Sequence, residues 1–535
     1  MLNRYSIPQK ITTVGGNGVR LESVLAAHAE RYPCKTAIIC DGVRVSYGAL
    51  QRLIRETANG LFECGLRQGD RIVIYLPNGL ELVQLLYAAY TLGAVAVPVT
   101  TWLTIREVGE FCRDCDAKML AFHEDQGAGL GDLLAERSEM VAVVVGGDSP
   151  GATPFGELPR QGLGILPSVP FDHDECMINY TSGTTGRPKG VIVTHANILI
   201  QNGFIHGIEW RLSNEDVFLV ATPLAHRTGM GRLANALTLG AAIVVMRRFD
   251  AALAIDLIEK HQVTVMGMVP TVCRMILPEI AKNPNRCSNL RRVLVTGEAF
   301  PVELKRRFIE LLPETRLVSF FAMTEAGAVT SLSHEEQFSH PKSVGRPTPG
   351  IEVRIVDDQS NDVRDGEVGE MLVRSGVPGA FTIMKGYLNR PAETATALRD
   401  GWLYTGDLAY RDDEGYLYIA DRKKDMILSG GFNIYSKEVE GALISHDDVA
   451  DAAVVGVSDE MYGEAVAAFV EPEAGVKPSA DALITHCRAM IASYKKPKYV
   501  VFVDTLPRNA IGKVLKHKLS GLAPEDLQIL MRNRS

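Results

Sequence analysis

The sequence predicts an α/β fold: a large N-terminal domain of two helix-covered β-sheets plus a β-rich subdomain, followed by a small α+β C-terminal domain. Three observations predict it. Through residues 35–300, short runs rich in β-branched residues alternate with segments of helical period. After about residue 340, strand-like segments succeed one another with turn residues between them and no long helix. After Asp425, helical and strand-like segments mix again over a length typical of one small domain.

The strand-like runs TAIIC (36–40), RIVIYLP (71–77), AVAVPV (94–99), MVAVVVG (140–146), AAIVVM (241–246), VTVMGMV (263–269) and RRVLVTG (291–297) are apolar along their length. Such strands are buried on both faces, as in parallel sheets covered by helices. Helical segments such as Tyr47–Cys64 and Leu82–Leu92 lie between them. The stretch Leu82 to Val99 has the apolarity of a membrane span, but Glu81 abuts it and Gln84, Gly93 and Pro98 interrupt it. It reads as a buried helix, a stop near Gly93 and a buried strand, so no membrane span is expected. IEVRIVD (351–357), GEMLVRS (369–375), WLYTGD (402–407) and GYLYIAD (415–421) make the β-rich subdomain, 340–422. Ser436–Ser445, VAAFVEP (466–472), Ala480–Ala492 and KYVVFVD (498–504) make the C-terminal domain, 423–535. The N-terminal domain is thus 1–422, and the polar run Asp421-Arg422-Lys423-Lys424-Asp425 lies at the junction.

With 535 residues, 46% of them hydrophobic, the chain has enough apolar surface for more than one core. Its net charge of −8 argues against the broad basic surface that nucleic-acid binding requires. The N-terminal stretch MLNRYSIPQKITTVGGNGVR has no apolar core of the kind a secretory signal carries. Nine scattered cysteines, an odd number, suit a reducing cytoplasm. Cys112 and Cys115 form a CxxC with no second pair to complete a zinc site, and read as packing residues.

The stretch Tyr180-Thr181-Ser182-Gly183-Thr184-Thr185-Gly186-Arg187-Pro188-Lys189-Gly190 carries the most chemistry. Its glycines let backbone N–H groups approach an anion, four hydroxyls add donors, and Lys189 adds a cation. The spacing is not that of a Walker A loop, because Pro188 occupies the fifth position after Gly183. A flexible surface loop is the bland alternative; a polyphosphate cradle fits the composition better.

This stretch resembles the signature loop of the adenylate-forming superfamily, which holds acyl-CoA synthetases, adenylation domains of nonribosomal peptide synthetases and luciferases. Further matches follow in that family's order over nearly the whole chain. The resemblance implies that Thr181, Ser182, Gly183, Thr184, Thr185, Gly186 and Lys189 hold the phosphates of ATP. Val269-Pro270-Thr271 resembles a motif beside the acyl site, and Gly297-Glu298-Ala299 the segment lining the adenine pocket. Phe320 precedes Phe321-Ala322-Met323-Thr324-Glu325, which resembles Tyr-Gly-x-Thr-Glu; by similarity Thr324 contacts the α-phosphate and Glu325 holds Mg²⁺. A carboxylate is a suitable hard ligand for that ion, although a Thr-Glu pair alone reads as a helix start. Asp407, in Tyr404-Thr405-Gly406-Asp407-Leu408, matches the residue that binds both ribose hydroxyls; a carboxylate accepts two such donors. Arg422 matches a second ribose contact and Tyr418 an aromatic near the adenine. Asn509-Ala510-Ile511-Gly512-Lys513 resembles the motif whose lysine bridges carboxylate and α-phosphate, so Lys513 is implied to be catalytic.

The resemblance further implies two half-reactions at one place: adenylation of a carboxylic acid with loss of pyrophosphate, then attack of a thiol, most readily coenzyme A. It also makes the C-terminal domain mobile, rotating about a hinge at Lys424. Rotation would withdraw Lys513 and bring in Gly430 and Gly431, beside which a pantetheine arm would pass; a surface β-turn is the plainer reading of that pair. In Pro223-Leu224-Ala225-His226, His226 is implied to gate the acyl site or donate a hydrogen bond; Arg227 has two readings, a contact to a polar or second acidic group on the substrate and, the plainer one, an ion pair with a protein carboxylate.

Four positions depart from the family pattern: Phe321 for Tyr, Ala322 for Gly, Asp421 where Gly is frequent and Ser436 where Pro is frequent. They bear on substrate identity more than on the reaction. The expected substrate is a medium-chain, aryl or similarly sized acid, with ATP, Mg²⁺ and coenzyme A as reaction partners and a monomer or homodimer as the working unit. Three alternatives stay open: an enzyme loading a carrier protein or making an amide, a nucleotide-binding protein without turnover, and a luciferase-like oxygenase.

Overall fold

The computed structural model describes residues 19–158, 166, 168–169, 174–181, 188–297, 300–508 and 514–520. Two large sheets form its body. One has seven strands in the order 316–319, 292–295, 265–268, 217–220, 242–245, 36–40 and 43–46. All neighbours are parallel except the last pair, where Val43–Ser46 returns as a hairpin. The other has eight strands in the order 386–387, 189–194, 175–181, 95–99, 71–75, 117–123, 141–145 and 153–154. Its six consecutive strands from 175–181 to 153–154 are parallel, while Lys189–Thr194 and Gly386–Tyr387 add on antiparallel.

The two sheets share one core because the helices between them are apolar on more than one face. Leu80–Leu92 buries ten of its thirteen residues and stops at Gly93, which takes left-handed backbone at φ 68°. Strand Val95–Val99 follows at once, fully buried. The stretch that a hydropathy reading would mark as a membrane span is therefore interior helix and strand. No helix among the described residues is long and apolar enough to cross a membrane. Cys112 and Cys115 lie in the core against the second sheet, their thiols pushed up to about 12 by burial, as packing residues should be.

Residues 352–422 form a third, antiparallel sheet built from Glu352–Val356, Gly369–Arg374, Trp402–Arg411, Leu398–Arg399 and Leu417–Arg422. A turn at Lys423-Lys424-Asp425 leads into a fourth sheet, 427–429, 432–434, 449–459, 463–472 and 499–502, covered by helices Ser436–Ile444 and Ala480–Met490. The last strand joins parallel, the others antiparallel. This small unit has its own apolar clusters around Val454, Val466 and Phe469. The architecture is thus α/β with two helix-covered sheets, a β-rich region and a small α+β unit.

The two departures Asp421 and Ser436 meet across the turn. The Asp421 carboxylate accepts a hydrogen bond from the Ser436 backbone N–H and another, at 3.0 Å, from its hydroxyl. Both residues are buried. Lys516 extends the network, donating to Ser436 Oγ at 2.5 Å and pairing with Glu440 at 2.6 Å. Proline at 436 would lack the N–H and glycine at 421 the carboxylate, so each departure supplies what the other needs.

Candidate active site

Strands Glu175–Thr181 and Lys189–Thr194 are hydrogen-bonded with Thr181 opposite Lys189, so the two ends of the phosphate-loop stretch are held side by side. Ser182, Gly183, Thr184, Thr185 and Gly186 lie outside the described residues, as do Glu298, Ala299 and Lys513. The two-residue strand Gly386–Tyr387 pairs with Lys189–Thr194 and places Tyr387 opposite Val191. Lys189 Nζ lies over the Tyr387 ring, 5.1 Å from its centroid. The Tyr387 hydroxyl donates to Glu325 Oε1 at 3.0 Å. Burial first, then the charge of Glu325, holds that hydroxyl well above the ordinary phenol range, so it stays a donor.

Thr324 and Glu325 are not at a helix start. They form the tip of a hairpin between Ala322–Met323 and Gly327–Ala328. The Glu325 carbonyl also accepts from Met384 N at 2.7 Å, which fixes the tip against the segment leading to Tyr387. A carboxylate tied through Tyr387 to the lysine at the end of the loop offers a hard oxygen ligand of the kind that Mg²⁺ takes together with phosphate oxygens. Tyr387 is the linking residue, and nothing in its local sequence marks it as functional.

A second cluster lies at the end of the third sheet. Asp407 is paired in register with Arg422. Its side chain is 2% exposed, and Arg422 Nε lies 2.7 Å from its Oδ1. Thr405, Gly406, Arg422, Lys423 and Lys424 line a cleft of about 310 Å³ beside this pair. A carboxylate oriented by one guanidinium can still accept from a vicinal diol. Tyr418 is not brought to this cluster. It sits opposite Tyr410, four residues further along the strand, stacks on that ring at 4.8 Å and donates its hydroxyl to Asp412 at 3.0 Å.

The acyl side begins at His226, which caps helix Arg227–Leu239. Asn78 shapes the preceding turn: its amide donates to the Thr222 carbonyl at 3.1 Å and its Oδ1 accepts from Leu224 N at 2.7 Å. Buried His226 Nε2 has no partner. Burial lowers the imidazole to about 4, so it is neutral near pH 7. Gly297 turns back against Val269, and Phe320, Phe321 and Ala322 pack on the main core. Among the described residues Arg227 forms no ion pair with a carboxylate. Its guanidinium is lowered by burial and feels Glu325 only as a more distant charge.

In the small C-terminal unit, Arg508 and Val514 bridge across the ends of the Lys513 motif. Arg508 is tied to Asp451, and Lys516 to Glu440. Gly430 and Gly431 make the tight turn between strands Ile427–Ser429 and Phe432–Ile434, both with positive φ (58° and 81°). Lys424 is exposed in the turn between the third and fourth sheets.

The family model for AMP-binding enzymes matches residues 25–388, and that for the AMP-binding enzyme C-terminal domain matches 438–513. A feruloyl-CoA synthase from an Amycolatopsis species is 35% identical over 491 residues, covering 91% of this chain and 96% of the relative. The o-succinylbenzoate CoA synthetase of Bacillus subtilis, solved with ATP and a magnesium ion, superposes with a TM-score of 0.82 at 29% identity, covering 93% of this chain and 98% of the other. The amide bond synthetase McbA of Marinactinospora thermotolerans superposes with a TM-score of 0.83 at 26% identity over 93% of this chain and 99% of the other. The loop ends, the Glu325 hairpin and the Asp407–Arg422 pair thus occur in a chain that belongs to the adenylate-forming superfamily, in its acyl-CoA synthetase branch, and the protein is an AMP-forming acid–thiol ligase.

Proposed function

We propose that the protein is an ATP-dependent acyl-CoA synthetase for a medium-chain, aryl or similarly sized carboxylic acid. It forms the acyl-adenylate, releases pyrophosphate, and passes the acyl group to coenzyme A with release of AMP. The observation that carries this reading is the Lys189–Tyr387–Glu325 chain of contacts, which joins the end of the loop to a carboxylate suited to Mg²⁺. Thr181 to Gly186 and Lys189 grip the phosphates, Thr324 contacts the α-phosphate, and Glu325 holds the metal ion that neutralises the triphosphate. Asp407 and Arg422 take the ribose, and Gly297 to Ala299 with Phe320 to Ala322 line the adenine and acyl sites. His226, neutral near pH 7, gates the acyl site. Lys513 supplies the mobile cation.

Residues 1–422 act as the adenylation domain and 423–535 as a domain that turns about Lys424, bringing Gly430 and Gly431 to the thioester-forming site. The nine unpaired cysteines suit a reducing cytoplasm.

Likeness to an amide bond synthetase supports a second reading, in which an amine replaces the thiol. One assay separates the two. The protein is incubated with ATP, Mg²⁺ and a panel of acids, with coenzyme A, an amine or neither. CoA-dependent AMP release with thioester formation is the expected result. Pyrophosphate release that responds to amines and not to coenzyme A would replace the first reading with the second.

A further inference from the structure

Arg232 lies two turns into the helix that His226 caps, on the side facing strand Val265–Met268. It is 3% exposed. Its Nε and Nη1 are buried without a hydrogen-bond partner among the described residues, and none of those residues supplies a carboxylate that pairs with it. Burial alone lowers its guanidinium, to about 9, with no carboxylate opposing the shift. The rings of Trp210 and Phe320 flank it, at 5.2 and 5.9 Å from their centroids. Those ring faces attract a cation but accept no N–H hydrogen bonds in the guanidinium plane.

The seat is built for this side chain. A Cβ at Gly267 would come 2.6 Å from Arg232 Cδ and 2.7 Å from its Cγ, so glycine in the middle of a buried strand is what lets the stem lie against that strand. Gly267 is two residues before Val269, and Phe320 adjoins Phe321 and Ala322, so Arg232 packs against the segments that the proposed function assigns to the acyl side. Along the helix axis, six residues separate it from His226, about 9 Å at 1.5 Å per residue. That is the reach of a short or aryl acid whose reacting carboxylate sits at the histidine end. Buried arginines are ordinarily paired, and a bidentate carboxylate is their best partner.

We infer that Arg232 is a specificity residue that binds a second carboxylate at the distal end of the substrate, so that the preferred acids are dicarboxylic. This rests on the reading of the cleft as an acyl site. None of the described residues supplies the partner, and on this inference the ligand brings it.

The test uses the full chain and three matched pairs: succinate and butyrate, adipate and hexanoate, terephthalate and 4-methylbenzoate. Affinity is measured by calorimetry in the presence of AMP, which needs no turnover; pyrophosphate exchange is measured separately and reports on the adenylation reading. In at least one pair the dicarboxylate should bind about 100-fold more tightly than its partner. Arg232→Met should abolish that difference and raise the melting midpoint, since an uncompensated buried charge is gone. Arg232→Lys should keep part of it, and Gly267→Ala, which displaces the stem, should reduce it. Equal or weaker binding of the dicarboxylate in every pair would overturn the inference. So would Arg232→Met lowering the melting midpoint without changing relative affinities, the behaviour of a purely structural cation–π arginine.

Discussion

The Tyr387 hydroxyl lies 3.0 Å from Glu325 Oε1 and donates to it. The two residues come from different parts of the chain, and the bond holds the carboxylate in one rotamer beside Lys189. A hydrogen bond to a charged group contributes about 1.5–3 kcal/mol. Tyr387→Phe should therefore raise the apparent KM for Mg·ATP about 10-fold or more, with a melting midpoint within a few degrees of wild type. Pyrophosphate exchange as a function of Mg²⁺ concentration checks this; an unchanged metal dependence would remove Tyr387 from the site.

The Asp421–Ser436 contact predicts strong coupling. Ser436→Pro removes two donors from a buried carboxylate and should destabilise the chain by about 3 kcal/mol. Asp421→Gly alone should cost less, because no charge is left behind. The double variant should recover much of the loss, returning the pair to the residues frequent in the family. Urea denaturation of the four proteins measures the coupling; additive losses would mean that the two positions are independent.

Lys513→Ala should abolish adenylation, a loss of at least about 100-fold in pyrophosphate exchange. Conversion of supplied acyl-adenylate to thioester should persist if, as proposed, the second half-reaction uses another orientation of the C-terminal domain. Equal loss of both would contradict that division.

Burial moves His226 from its ordinary value near 6.5 to about 4. Between those pH values the unfolded chain binds a proton that the folded chain does not, so stability should rise with pH through that window and fall on acidification below 6.5. His28 and His206 are lowered for the same reason and add to the slope. His226→Gln should flatten, without abolishing, the change in urea midpoint between pH 4.5 and pH 7, compared in matched buffers.

Much of the body was legible because its strands are continuous apolar runs: Thr36–Cys40, Arg71–Tyr75 and Arg292–Val295 fall where β-branched residues cluster. The antiparallel additions were less so. Gly386–Tyr387 is two residues long, too short for any periodicity, yet it delivers Tyr387 to Glu325. Gly327, two residues past Glu325, takes left-handed backbone at φ 71° and is the one local signal of a hairpin tip, but without the pairing of Ala322 with Ala328 it does not say that a hairpin forms there. Tyr418 pairs directly with Tyr410 across the two strands and stacks on it, a contact that the local sequence does not announce. Arg232, an arginine in a half-apolar helix, reads as solvated; its burial depends on a glycine thirty-five residues away.

Lys423 is clamped from three directions: its backbone N–H donates to Gly406 O at 2.8 Å, and its ammonium bridges Asp358 and Glu370 at 3.0 Å each. The chain ahead of Lys424 is therefore bolted to the third sheet, and on the other side strand Ile427–Ser429 begins almost at once. Only Lys424, Asp425 and Met426 lie between the two anchors, so the proposed turn of the C-terminal domain would be that of a door on a short pin, and it would have to part Ser436 from Asp421 on the way.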